Sequence, residues 1–217
     1  MELSELWTIC SANGIIMEVE QLNTIVRYVK ELIYWNEKVN MISRQDIDNI
    51  YDKHIFHSLS VLKYIDLPKK AMCMDIGTGG GLPGIPISIA RPDINMLLVD
   101  SIKKKMVITD MMAKHSNNKL LKTFTGRVED LDKTHFAIYD FIFARGVATI
   151  RELISLSKKF LKPTGKYVFL KGGDLSKEIE DAKYVWKNLE IEEKNLSFFG
   201  NESFSKDEKK ILICSFK

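Results

Sequence analysis

Apolar residues at Leu22, Ile25, Val26, Val29, Leu32, Ile33 and Val39 recur every three or four positions, which predicts an amphipathic helix over residues 18–40. A second helical pattern covers residues 48–64, so residues 1–70 read as a helical N-terminal extension. From residue 71 the pattern changes to short apolar runs: Ala71 to Ile76, Asn95 to Asp100, Leu120 to Gly126, Tyr139 to Ala144 and Gly165 to Lys171. Helical patterns separate them, and this alternation predicts an α/β fold with a parallel, doubly wound sheet. After a helix near Ser176 to Asn188, the runs Glu190 to Phe198 and Lys210 to Phe216 leave no room for a crossover helix. They are expected to pair antiparallel. The expectation is a Rossmann-like, seven-stranded, mostly parallel sheet with a C-terminal antiparallel hairpin over residues 71–217.

The chemistry concentrates at the end of the first predicted strand, in Asp75-Ile-Gly77-Thr-Gly79-Gly80-Gly81-Leu82-Pro83-Gly84. Glycines are needed where a strand turns sharply into a helix and a ligand must approach the backbone. About twenty residues on, Leu97-Leu98-Val99-Asp100 ends the second strand with a carboxylate able to accept from both hydroxyls of a ribose. An adenosine-containing cofactor is implied. The run from Gly79 to Gly84 satisfies G-x-G-x-x-G, so NAD or FAD is one candidate. Asp75 argues for another, because a carboxylate there repels a pyrophosphate and suits the ammonium and sulfonium of S-adenosylmethionine. Seven strands with a terminal hairpin also resemble the class I fold common to most S-adenosylmethionine-dependent methyltransferases.

Composition excludes several classes. The chain has 217 residues, 45% of them hydrophobic, enough for a sizeable core, and no apolar run approaches a membrane span. The N-terminus has no basic region ahead of an apolar stretch, and a cytoplasmic location is expected. Three dispersed cysteines and four histidines without ligand spacing point to neither disulfides nor a metal site. The net charge of +3 is unevenly spread, with eight Lys/Arg against ten Asp/Glu in residues 1–70 and 24 against 19 beyond. Clusters at Lys103-Lys104-Lys105, at Lys158, Lys159 and Lys162, and at Lys206, Lys209 and Lys210 are either phosphate contacts or a solvated face.

Missing motifs narrow the reaction. No Pro-Pro follows the fourth strand, where Phe141-Ile-Phe-Ala144-Arg145-Gly146-Val147 stands instead of the signature of exocyclic-amine methylation. No cysteine is placed to activate a pyrimidine carbon. The remaining acceptor is an atom with an available lone pair, a ring nitrogen or a hydroxyl oxygen.

The run Gly77 to Pro86, Leu98-Val99-Asp100-Ser101 with Lys104 and Lys105, Gly126-Arg127-Val128-Glu129-Asp130, Ala144-Arg145-Gly146-Val147-Ala148 and Leu170-Lys171-Gly172 resembles the ribosomal small subunit methyltransferase G family, also called glucose-inhibited division protein B. Two leading motifs match as well: Trp35-Asn36-Glu-Lys-Val-Asn40-Met-Ile, and Lys53-His54-Ile-Phe-His57-Ser58-Leu59. The resemblance implies methyl transfer from S-adenosylmethionine to N7 of one guanine in 16S ribosomal RNA, on naked RNA or within the 30S subunit, by a monomer. Residue by residue it implies Gly77, Gly79 and Leu82 at the methionine end of the donor, Asp100 at the ribose, and Val128 with Glu129 at the adenine, beside Asp75, expected to bind the donor from its charge. Arg145 is expected at the methyl-transfer site, orienting the donor carboxylate or an RNA phosphate; the alternative is a strand-end arginine paired with Asp140 or Glu152. Lys171 and His54 are expected on the RNA side, or as a solvated strand end and a packed helix residue. The family pattern has arginine where Lys53 stands and aspartate where His57 stands, which leaves the RNA side open. A small-molecule methyltransferase, an NAD-dependent oxidoreductase and a ribosome-binding factor without turnover are the competing classes.

Overall fold

The computed structural model describes residues 1–217. Helices α1 (Leu3–Ala12) and α2 (Val19–Asn36) open the chain, followed by a 3-10 helix (Arg44–Asn49) and a π-helical turn (Tyr51–Phe56) that runs into α3 (His57–Leu59) and α4 (Val61–Tyr64). Strand β1 (Met72–Ile76) leads to α5 (Gly84–Ala90), β2 (Asn95–Asp100), α6 (Lys103–His115), β3 (Leu121–Thr125), β4 (Tyr139–Arg145), α7 (Ile150–Ser157), β5 (Leu161–Gly172), α8 (Ser176–Val185), β6 (Leu189–Asn195), α9 (Ser203–Lys206) and β7 (Lys209–Phe216). The sheet order is β3-β2-β1-β4-β5-β7-β6. Strands β1 to β5 pair in parallel, and β7 is inserted antiparallel between β5 and β6.

The expected strands are therefore present and the terminal pair is antiparallel. The N-terminal helices differ from expectation. The helix expected over 18–40 stops at Asn36, because the Asn36 side-chain oxygen accepts the amides of Met41 and Ile42 at 2.7 and 2.9 Å and turns the chain. The helix expected over 48–64 is a relay of 3-10, π and short α turns, whose widened π turn sets the buried His54, Ile55 and Phe56 inward. Helix α1 has no counterpart among the individually expected helices; it buries Leu6, Ile9 and Cys10.

Strand alternation sends side chains to two cores. Cys73, Phe141, Phe143, Val168, Leu170, Ile211 and Ile213 face the N-terminal helices, α5 and α6, joining Ile25, Tyr28, Val29, Leu32, Phe56 and Leu59 in one apolar cluster. Met74, Ile142, Ala144, Tyr167, Phe169, Leu212 and Cys214 face α7 and α8 with Leu153, Ile154 and Ala182. At about 25 cal/mol per Å² of apolar surface removed from water, such burial dominates the stabilisation of both layers. The same parity decides where polar residues at strand ends go. Asp75 follows Cys73 and Arg145 follows Phe143 toward the N-terminal helices, while Lys171 follows Phe169 toward α8.

Candidate active site

β1 is flanked by β2 on one side and β4 on the other, so connections leave it in opposite directions and open a crevice at the strand C-termini. A cavity of about 950 Å³ lies there, at the upper end of the range for small-molecule sites.

One wall is the glycine loop. Gly77 and Thr78 donate to the carbonyl of Val99 at 2.8 and 3.1 Å, which ties the loop to β2. Gly77 adopts φ +67° and Gly81 φ +95°, conformations that favour glycine. Gly84 is required for packing: a Cβ there falls 2.2 Å from Leu98 Cδ2 and 2.9 Å from Asp75 Oδ2. Side chains from distant helices brace the loop, with Tyr28 Oη donating to the Gly80 carbonyl at 2.8 Å and Thr109 Oγ1 to that of Gly79 at 2.6 Å.

Asp75 is not on the cavity wall, contrary to the expectation that it faces the donor. It is fully buried, and its Oδ2 accepts from Thr78 Oγ1 at 2.6 Å and from the Gly84 amide at 2.9 Å. Strand parity turns it beneath the loop, so it shapes the loop from below. Burial pushes its carboxyl up to about 7, against the lowering effect of those two bonds and of Arg145.

The other expected donor residues meet on the cavity: Gly77, Gly79, Leu82, Asp100, Val128 and Glu129. Asp100 Oδ2 accepts from the Gly79 amide at 2.9 Å and Oδ1 from the Ile102 amide at 2.8 Å. Each oxygen thus holds one backbone donor and retains acceptor capacity for a hydroxyl. Glu129 is exposed, and Val128 beside it is buried in the α7 core, a pairing of polar edge and apolar face suited to a purine. The residues fit an adenosine-containing donor, and no group of His, Cys, Asp and Glu is arranged to hold a metal.

The opposite wall comes from three distant segments. Arg145, at the end of β4, donates to the Lys53 carbonyl at 3.1 Å and to His54 Nδ1 at 2.5 Å. It pairs with neither Asp140, which binds Lys162 at 2.6 Å, nor Glu152, which caps α7 through Thr149. A guanidinium cannot accept, so His54 Nδ1 is the acceptor and Nε2 carries the proton. His54 Nε2 lies 3.5 Å from Asp46 Oδ2 but outside hydrogen-bond geometry. Burial, then the positive field of Arg145, Lys209 and Lys53, pushes the His54 pKa down to about 3, and His57 is held well below its ordinary range for similar reasons.

Lys171 lines the cavity, yet its ammonium is engaged. It lies 2.6 Å from Glu178 Oε1 and donates to the Ala148 carbonyl at 2.6 Å, with its side chain 14% exposed. Glu178 Oε1 also accepts the Ile150 amide at 2.6 Å. The pair therefore holds the Gly146–Ile150 segment that seats Val147 against Gly77, where a Cβ falls 2.5 Å from Val147 Cγ2.

Met41, Ile42, Ser43 and Asp46 also line the cavity, and sequence reasoning assigns none of them to the site individually; Lys53 and His57, from the leading motif, and Lys209, from the last lysine cluster, line it too. The buried Asn36 turn is the available signal for the first two, since an asparagine at a helix end stops the helix and aims the residues after it.

Comparison with known proteins agrees with this geometry. A family model described as rRNA small subunit methyltransferase G matches residues 21–210. The ribosomal RNA small subunit methyltransferase G of Chlorobium phaeobacteroides is 39% identical over 180 residues, covering 83% of this chain and 80% of its own. That of Cytophaga hutchinsonii is 34% identical over 188 residues, covering 84% and 86%. Among solved structures, a ribosomal protein L11 methylase from Lactobacillus delbrueckii subsp. bulgaricus superposes with TM-score 0.55 at 18% identity, over 76% of this chain and 79% of that one. The Bacillus subtilis tRNA methyltransferase TrmK gives TM-score 0.55 at 15% identity, over 74% and 65%. These two share the fold. The glycine loop, the Asp100 carboxylate and the matched family model lead to one conclusion: the chain belongs to the rRNA small subunit methyltransferase G family, S-adenosylmethionine-dependent enzymes that methylate the RNA of the small ribosomal subunit.

Proposed function

We propose that this protein transfers the methyl group of S-adenosylmethionine to N7 of a single guanine in 16S rRNA, within the 30S subunit, acting as a cytoplasmic monomer. The observation that supports this most is the cavity itself, with a donor-shaped glycine wall on β1 and β2 and a cationic wall around Arg145. In this reading residues 71–217 form the catalytic domain and residues 1–70 complete the acceptor side. No helix is long and apolar enough to cross a membrane.

The bound donor supplies a methyl group on a sulfonium sulfur, a cationic leaving group. Gly77, Gly79 and Leu82 hold its methionine end, Asp100 its ribose, and Val128 with Glu129 its adenine. Asp75, beneath the loop, adds negative potential when ionised, although it makes no contact across the cavity wall. Guanine N7 carries no proton to remove, so the chain needs alignment and water exclusion more than a general base. The two histidines on the cavity suit that requirement, because burial and neighbouring cations leave both far too weakly basic to remove a proton near neutrality. Arg145 is positioned to orient an oxyanion beside the reacting atoms.

The test is incubation with methyl-labelled S-adenosylmethionine and 30S subunits lacking the modification, followed by digestion of the RNA. The expected product is labelled 7-methylguanosine at one position. Absence of label in rRNA while S-adenosylhomocysteine still binds overturns the ribosomal reading and favours a small-molecule acceptor.

A further inference from the structure

Two cations on the acceptor wall have no anionic partner. Arg145 spends two hydrogen bonds on a neutral carbonyl and a neutral imidazole, and no carboxylate forms an ion pair with it. Lys209, the first residue of β7, also lacks an ion pair, whereas Lys210 binds Glu193 at 2.8 Å and Lys53 binds Asp207 at 3.0 Å. Its stem lies over Gly172, with Cδ 3.6 Å from the position of a Cβ there, at the cavity edge. A half-buried guanidinium without a carboxylate is stabilised by an arriving anion. Asp46, beside His54, is the one carboxylate from the N-terminal helical segment on this side of the cavity.

We propose that Arg145 and Lys209 form an oxyanion subsite for the 5′-phosphate of the target guanosine. This rests on the functional reading above and names the part of the RNA that the acceptor wall grips. The donor carboxylate is the other possible oxyanion, but the sheet order argues against it. Gly77 and Gly79 follow β1, Asp100 ends β2, and Val128 and Glu129 follow β3, whereas Lys209 opens β7, three strands from β1 on the opposite side. At the usual spacing of about 4.8 Å per strand that is roughly 14 Å from the methionine end.

The test titrates guanosine 5′-monophosphate and guanosine into the protein saturated with S-adenosylhomocysteine, in wild type and Lys209→Gln. The wild type is expected to bind the monophosphate at least about tenfold tighter than the nucleoside, the scale of one or two charge-assisted bonds. Lys209→Gln is expected to close that gap, leave S-adenosylhomocysteine affinity and melting temperature unchanged, and raise KM for 30S subunits more than it lowers kcat. Lys209→Met, which keeps the stem over Gly172, repeats the measurement should the glutamine disturb the strand. Equal affinity for the two guanosines in wild type overturns the subsite. A Lys209→Gln loss of S-adenosylhomocysteine affinity matching the loss for the monophosphate also overturns it, by assigning the anion to the donor. Failure of wild type to label rRNA, with the monophosphate preference intact, instead overturns the functional reading and leaves the subsite standing.

Discussion

The two walls of the cavity are held by different kinds of contact. The donor wall is largely backbone, with the Gly77 and Thr78 amides on the Val99 carbonyl, the Gly79 amide on Asp100 and the Gly84 amide on Asp75. The acceptor wall is made of side chains from segments far apart in the chain, with Arg145 on Lys53 and His54, and Lys171 on Glu178 and Ala148. Backbone turns tolerate little added volume but need few particular side chains beyond Asp75 and Asp100. Side-chain walls tolerate volume and fail when a charge is removed. One half of the site is thus vulnerable to an added methyl group and the other to a lost charge.

The largest expected effect is on the donor wall. Gly84→Ala drives a Cβ to 2.2 Å from Leu98 Cδ2 and 2.9 Å from Asp75 Oδ2, and overpacking of this kind costs about 1–3 kcal/mol or more. Denaturant unfolding should report that loss, and calorimetry should show weakened S-adenosylhomocysteine binding in the same variant. Unchanged stability and donor affinity would mean that the loop is not a rigid element.

pH sharpens the comparison next, because the walls carry titrating groups of opposite sign. Asp75 has a folded-state pKa raised from 3.8 to about 7, so it holds its proton in the folded state after the unfolded chain has released it. Its contribution to stability is lost as pH rises from about 4 to about 7. His54, lowered from 6.5 to about 3, behaves in the opposite way, and stability is lost as pH falls through that range. The prediction is that Asp75→Asn flattens the decline on the alkaline side while His54→Asn flattens the decline on the acid side, both read from melting temperature against pH. Parallel curves for variant and wild type would show that the corresponding group does not shape the profile.

The smallest effect concerns the acceptor wall. Lys171→Met breaks the partly buried pair with Glu178 and frees the Ala148 carbonyl, at a stability cost of about 1–2 kcal/mol. It should lower kcat/KM for 30S subunits several-fold with S-adenosylhomocysteine affinity retained, since Lys171 reaches the donor wall indirectly, through the segment that seats Val147 against Gly77. A greater loss of donor affinity than of turnover would show that the two walls are not separable.

The same contrast separates the legible parts of the molecule from the rest. The order of elements from β1 to β5, the antiparallel ending and the meeting of Gly77, Gly79, Leu82, Asp100, Val128 and Glu129 on one cavity are legible in the sequence, because turn chemistry and alternation act over a few residues. Asp75 is expected on the cavity and lies under the loop; period-two counting from Cys73 contains that answer. Lys171 is expected toward RNA, and the same counting from Phe169 sends it to α8, where Glu178 waits. His54 and Arg145 are both expected at the site, but their mutual bond has no signal in the sequence. Neither parity nor spacing pairs residues 91 positions apart.

By itself, then, the sequence determined the α/β rhythm, the glycine turn, the two carboxylates that serve it and the family motifs, all of which depend on local backbone geometry and hydrophobic period. Tertiary structure alone decided which cations stay unpaired, by closing Lys53 onto Asp207 and Lys171 onto Glu178 while leaving Arg145 and Lys209 without a carboxylate. The physical reason is that an ion pair depends on distances of a few ångströms between groups that the chain itself keeps far apart, and only packing of the N-terminal helices, β4 and β7 around one cavity sets those distances.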